Sequence, residues 1–349
     1  METKVVRMTE AQIDREKIRE AGDILRDGGL VAFPTETVYG LGGDALNPQS
    51  SRRIYAAKGR PSDNPLIVHI ADMDALSLVV KEIPESAQRL AKRFWPGPLT
   101  MILHKSPKVP YETTGGLDTV AVRMPANRIA RELIRAAGGY VAAPSANRSG
   151  RPSPTVVKYV SEDLDGRVEM IIDGGDVEIG LESTIVDLTS DKPMILRPGY
   201  ITRQHLETVL SEVEEDNTLM RDDSGQAPKA PGMKYRHYAP KGDLTIIKGS
   251  EENVIAYINA HCAKEQRDNK KTGVIATDTT VGRYCADVCK SAGCREEEET
   301  IARDLYRILR EFDDENVEVI YAEAFDDSGI GQAIMNRLLK AAGYKVISI

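Results

Sequence analysis

Leu30-Val31-Ala32-Phe33-Pro34-Thr35-Glu36-Thr37-Val38-Tyr39-Gly40-Leu41-Gly42 is the stretch from which the fold can be read. Four apolar residues in a row suit a strand buried on both faces, and Pro34, which has no N–H for a sheet ladder, stops it. Two hydroxyls, a carboxylate and a phenol follow before a glycine-rich turn. A loop leaving the end of a buried strand is where α/β proteins tend to carry their sites. Alone, the loop reads equally well as a β-turn with surface hydroxyls, so its meaning depends on its surroundings.

Outward from it, short apolar runs alternate with helical patterns. Ser50 to Lys58 reads as a helix with Asn47 or Ser50 as N-cap. Pro65 to Ile70 reads as a strand, Glu85 to Phe94 as a helix, and Leu99 to Leu103, Val120 to Arg123, Tyr140 to Ala143, Ile185 to Leu188 and Met194 to Arg197 as further strands. Many strands with interspersed helices and long Pro/Gly loops predict an α/β domain on a twisted, mixed, open sheet over residues 1–210. Residues 211–240 have linker composition, acidic and then rich in Gly, Pro and Ala. Yet Tyr235-Arg236-His237-Tyr238 is too aromatic and basic for a mere spacer. After Pro240, strands at 244–248, 273–276, 317–321 and 344–349 alternate with helices at 252–263, 299–312 and 331–342. That alternation predicts a smaller Rossmann-like, parallel-sheet domain over 241–349 with its own core. Gly329-Ile330-Gly331 lacks the third glycine and the following acidic residue of a dinucleotide fingerprint and reads as a helix start.

Polar residues gather at the strand ends. Lys58-Gly59-Arg60 places two cations in what reads as an exposed turn, either as an anion clamp or as a basic cap on the helix dipole. His69 lies in an apolar strand, as a hydrogen-bonded core histidine or a site residue. Arg123 sits among residues that look buried and needs an anionic partner, from the protein or from a ligand. Ala142 to Ser153 runs from a strand end into hydroxyls, an amide and two arginines, donors that phosphate and ribose require. Glu182-Ser183-Thr184 and Arg197-Pro198-Gly199 add polar groups at two more strand ends.

A chain of 349 residues suits two domains. A net charge of −8 argues against general nucleic-acid coating, so any anion site must be local. No apolar run approaches the roughly 20 residues of a membrane helix, and Met1-Glu2-Thr3-Lys4 opens no signal segment; the expectation is a cytoplasmic protein. Cys262, Cys285, Cys289 and Cys294 are the only cysteines, and their spacing is not that of a zinc site, so they read as free thiols.

The ordered set Pro34-Thr35-Glu36-Thr37-Val38-Tyr39-Gly40-Leu41, Lys58-x-Arg60, Asn64-Pro65-Leu66, Trp95-Pro96-Gly97-Pro98-Leu99-Thr100, Arg123-x-Pro125 and Ser145-x-Asn147 resembles the YrdC-type threonylcarbamoyl-AMP synthases. The resemblance covers residues 15–205, and the 231–240 run with its α/β tail resembles their longer, two-domain form. It implies a sheet with a concave, locally basic face crossed by the linker. It implies an enzyme that condenses L-threonine, bicarbonate and ATP to threonylcarbamoyl-AMP and pyrophosphate, toward N6-threonylcarbamoyladenosine in tRNA. By the same resemblance Thr37, His69, Arg123, Ala143 and Ser183 line the L-threonine pocket, and Lys58 and Arg60 act on phosphate charge. Asn64, Thr119, Ser145, Asn147, Ser153 and Arg197 join Arg60 in holding ATP, while Tyr235, His237 and Tyr238 close over the nucleotide. Mg2+ arrives on ATP, and the product passes to a separate tRNA-modifying transferase, with at most a weak direct tRNA contact. Two rival readings are a carbamoyl-transfer enzyme of related fold, whose extra zinc-binding and acylphosphatase-like segments the sequence lacks, and an RNA-binding module, which the acidic total charge disfavours.

Overall fold

The structure is a computed structural model and describes residues 2–216, 219 and 238–349. Tyr235 and His237, expected to close over the nucleotide, lie outside the described residues.

The N-terminal domain is built on eleven strands: β1 (Lys4–Arg7), β2 (Val31–Phe33), β3 (Gly40–Asp44), β4 (Ile67–Ile70), β5 (Leu99–His104), β6 (Thr119–Arg123), β7 (Tyr140–Ala142), β8 (Met170–Asp173), β9 (Thr184–Asp187), β10 (Met194–Arg197) and β11 (Glu214–Glu215). Their order is β1-β8-β2-β3-β7-β4-β6-β5-β9-β10-β11. Pairing is mixed: β4 runs parallel to β6, for example, while β2 runs antiparallel to β3. The opening strand is buried on both faces, as its sequence requires. Val31 and Phe33 enter one apolar cluster with the helices Arg15–Arg26 and Arg128–Ala136, and Ala32 enters another with Leu41, Ile54 and Val68. This alternation is the period of two expected of a strand. The helix Pro48–Lys58 is capped by Asn47, whose side chain accepts from the Gln49 N–H, and it ends at Gly59 in the left-handed region (φ 63°).

The C-terminal domain holds β12 (Asp243–Lys248), β13 (Thr272–Ala276), β14 (Val288–Ser291), β15 (Val319–Glu323) and β16 (Val346–Ser348), in the order β14-β13-β15-β12-β16. All four pairings are parallel, with the helices Glu251–Arg267, Glu298–Asp314 and Gly329–Ala341 between strands. This is the doubly wound arrangement that the alternation predicts. The four cysteines are free.

The expectation of two independent cores needs correction. Val38 and Leu181 of the first domain belong to the apolar cluster of the second, beside Leu305, Tyr306 and Leu338. Polar contacts also cross the junction. Arg310, 1% exposed, donates through Nη2 to Asp163 Oδ2 (2.5 Å) and to the Pro152 carbonyl (2.7 Å). At Gly180 (φ 82°) the backbones touch so closely that a Cβ would fall 2.4 Å from the Cα of Arg303.

Candidate active site

Strand ends and loops of the first domain, with Tyr238 from the end of the linker, enclose about 690 Å³ of empty space counted out to its mouth. Thr37, His69, Arg123, Ala143, Ser183, Lys58, Arg60, Ser145, Asn147, Arg197 and Tyr238 all line it. The sequence spreads these residues over two hundred positions; the sheet order brings them together.

The loop after β2 is self-wired. Thr35 Oγ1 lies 2.9 Å from Thr37 Oγ1 and donates to the Val38 carbonyl (2.6 Å), a local hydroxyl turn that holds Thr37 inward. Thr37 Oγ1 accepts from Arg123 Nη1 (2.9 Å). The anionic partner that Arg123 requires is Glu36, 2.7 Å from Nη2, with both side chains almost fully buried. Among the described residues neither Glu36 oxygen nor Arg123 Nη2 makes an in-line hydrogen bond, so the pair is close but has hydrogen-bonding capacity left over. His69 lies beside Arg123 across the β4–β6 pairing, and its Nδ1 donates to the Ile67 carbonyl (3.1 Å). Burial, reinforced by the Arg123 charge, lowers the His69 pKa to about 3, so the ring is neutral at pH 7.

The other wall is cationic. Lys58 Nζ is buried among carbonyls, donating to the backbone oxygens of Ser145 and Asn147, with no carboxylate bonded to it among the described residues. Burial and then the Arg60 charge push its pKa well down. The lysine thereby ties the helix end to the Ser145–Asn147 loop. Arg60 is half-buried, which corrects the reading of an exposed turn arginine. Its Nη2 donates to the Pro65 carbonyl (3.0 Å), and burial lowers its pKa to about 10, still charged at neutral pH. Arg197 Nε donates to the Ser183 carbonyl (3.0 Å) and Nη2 to Ser183 Oγ (3.2 Å), while Ser183 Oγ also meets Thr100 Oγ1 (2.7 Å). Ser183, just before β9, and Arg197, the last residue of its antiparallel neighbour β10, are thus a single unit.

Three expected residues stand outside the lining. Asn64 is buried, its side-chain atoms unbonded and its carbonyl accepting from Arg60 Nε (3.3 Å). Thr119 opens β6, where it pairs with His104 of β5. Ser153 donates through Oγ to Glu182 Oε1 (2.6 Å), a residue that does line the cavity.

Glu182 is the main residue that sequence reasoning left without a role. Its carboxylate meets Tyr306 OH (2.9 Å) and Arg337 Nε (2.9 Å) of the second domain. Burial would raise its pKa, but Arg337 and Arg197 together bring it down to about 2. The sequence hid its partner: Arg337 stands with Gln332, Asn336 and Lys340 on a polar stripe at helical spacing, which reads as a solvated face. Tyr238 completes the wall, its ring 5.1 Å from that of Tyr306.

Among the described residues no cluster of three or more His, Cys, Asp or Glu side chains could hold a metal ion, and no helix is long and apolar enough to cross a membrane. Residues 23–199 match the Sua5/YciO/YrdC family, described as "Telomere recombination", and residues 201–343 match "Threonylcarbamoyl-AMP synthase, C-terminal domain". A threonylcarbamoyl-AMP synthase of Pyrococcus abyssi is 50% identical over 338 residues, covering 97% of each chain. One from Bacillus subtilis is 49% identical over 332 residues, 95% of this chain and 94% of its own. The crystal structure of P. abyssi Sua5 complexed with L-threonine superposes with a TM-score of 0.93 at 48% identity, covering 100% of both chains. Matches to both domains along nearly the whole length, on a cavity of this make-up, place the chain in the Sua5/YciO/YrdC family, in the two-domain form of the threonylcarbamoyl-AMP synthases.

Proposed function

We propose that this enzyme condenses L-threonine, bicarbonate and ATP to threonylcarbamoyl-AMP. The threonine amine attacks the bicarbonate carbon with loss of water to give a carbamate. A carbamate oxygen then attacks the ATP α-phosphorus and expels pyrophosphate. The observation that carries this reading is one cavity that gathers hydroxyls, a neutral histidine and several guanidinium groups: Thr37, Ser183, His69, Arg123, Arg60 and Arg197. Arg123 retains donor capacity for an amino-acid carboxylate, and its buried positive charge disfavours protonation of an amine bound beside it. Arg60 and Arg197 stabilise the charge that develops on phosphate. Lys58, held by carbonyls, keeps the Ser145–Asn147 loop in place beneath the nucleotide. Orientation of three reactants in a shared enclosure supplies the rest.

Mg2+ accompanies the triphosphate in this reading and neutralises its charge. The carboxylates nearest the cavity, Glu36 and Glu182, are already paired with Arg123 and Arg337, so they do not form a resident metal site. The enzyme acts in the cytoplasm, and its adenylate passes to a tRNA-modifying transferase. The near-full-length matches favour this reading over carbamoyl transfer or RNA binding as the main activity. The test is pyrophosphate release with each substrate omitted in turn. Release must require threonine and bicarbonate as well as ATP; release from ATP alone at the same rate would overturn the proposal.

A further inference from the structure

Two adjacent turns bring groups to the cavity wall. One, before β9, holds Glu182 and Ser183; the other, at the end of β10, holds Arg197 and Pro198. A single side chain from the C-terminal domain joins them. Arg337, in the helix Gly329–Ala341 and with 0% exposure, donates through Nε to Glu182 Oε2 (2.9 Å) and through Nη1 to the Pro198 carbonyl (2.9 Å). Its Nη2 lies 3.4 Å from the Glu182 carbonyl, and Nη1 also meets Asn336 Oδ1 (3.0 Å). A planar guanidinium has fixed donor directions, so bonds to two turns set their spacing in a way that a flexible ammonium cannot. Glu182 in turn holds Ser153 and Tyr306 by their hydroxyls, and Ser183 and Arg197 are bonded to each other. A shift of either turn therefore moves both substrate-facing groups.

We propose that Arg337 is a positioning residue for the reaction: by bridging the Glu182 and Pro198 turns, it fixes Ser183 on the threonine side relative to Arg197 on the nucleotide side. The C-terminal domain is in this sense part of the active-site geometry, although Arg337 does not line the cavity. The inference rests on the synthase reading above. The bridge also keeps Glu182 ionised, since Arg337 is the largest influence opposing the effect of burial on that carboxyl. Without it, a buried carboxylate takes up a proton in mild acid.

The experiment measures threonine- and bicarbonate-dependent pyrophosphate release by the full chain against pH, for the parent and for Arg337→Met, Arg337→Lys and Glu182→Gln/Arg337→Met. Lys158→Gln, which breaks the exposed inter-domain pair of Lys158 with Asp314, serves as control. Arg337→Met is expected to raise KM for threonine and for ATP together, by roughly tenfold or more, as misplacement of bound groups does. It is also expected to gain an acidic limb that the parent lacks, because the Glu182 pKa rises once Arg337 is gone. Arg337→Lys keeps the charge and should lose the limb but not regain the parental KM values. The double variant removes both members of the buried pair and so does not strand Glu182; it should show raised KM values without the limb. Lys158→Gln should match the parent. Parental KM values in Arg337→Met or in the double variant would overturn the proposal, as would full rescue by lysine. If the parent itself releases no threonine-dependent pyrophosphate, the synthase reading falls instead. The bridge is then decided by calorimetry with ATP alone, which must bind the double variant more weakly than the parent.

Discussion

Arg123 and Glu36 lie 2.7 Å apart with 4% and 6% of their side chains exposed, so neither can lose its partner cheaply. Arg123→Ala should destabilise the protein by about 3–5 kcal/mol by stranding a buried carboxylate. Adding Glu36→Gln should recover much of that loss, and urea unfolding of the single and double variants checks both. Threonine binding by the folded double variant should stay weak, measured as KM. His69 gives a second prediction, with its sign fixed by burial. Its pKa falls from 6.5 in the unfolded chain to about 3 in the folded one, so between those values the unfolded state binds more protons. Stability at this site is full above about pH 6.5 and falls as the pH drops toward about 3, by up to about 1.4 kcal/mol per unit. His69→Gln should remove that increment of slope from a pH series of denaturant midpoints; an unchanged slope would mean that His69 does not remain neutral. The need of Arg123 for an anion was legible in its apolar strand, but the choice of Glu36 was not. Glu36 lies 87 positions away along the chain, and only the β2 loop folding over β6 brings the two together.

At the scale of elements, the apolar runs were the most readable. β5, β10 and the helix Glu85–Phe94 fall within a residue of their sequence readings because each has a clear period and a Pro or Gly boundary. β3 was read as a glycine-rich turn, since glycine is disfavoured in strands. The structure supplies the reason for the exception. A Cβ on Gly42 would meet Val141 Cγ1 at 2.9 Å and Phe33 Cε1 at 3.0 Å, so at this position the strand lies too close to its neighbours for a side chain. Gly42→Ala should cost about 1–3 kcal/mol through overpacking alone, visible as a lower thermal midpoint. β1 was missed because it is an edge strand with only two apolar residues, and β14 because its residues are all half-buried. Neither pattern distinguishes a strand from a loop.

For the whole molecule, the junction between domains was the least legible feature, because its charges are buried by partners from the other half of the chain. Gly180 is where it can be tested most directly. Its φ of 82° already disfavours a side chain, and a Cβ there would press on the Arg303 backbone, which cannot swing aside. Gly180→Val should wedge the domains apart, splitting a single calorimetric unfolding transition into two and lowering turnover by at least roughly tenfold. A single transition with parental turnover would show that the contact yields. Glu182 and Tyr238 face the cavity while touching Tyr306 and Arg337, so occupancy of the cavity and docking of the domains act on the same atoms. Thermodynamic reciprocity then applies: whatever factor the docked second domain adds to nucleotide affinity, bound nucleotide must add to domain docking. Saturating ATP should therefore protect the amides of Leu181 and Arg337 from hydrogen exchange, although neither residue need touch the ligand.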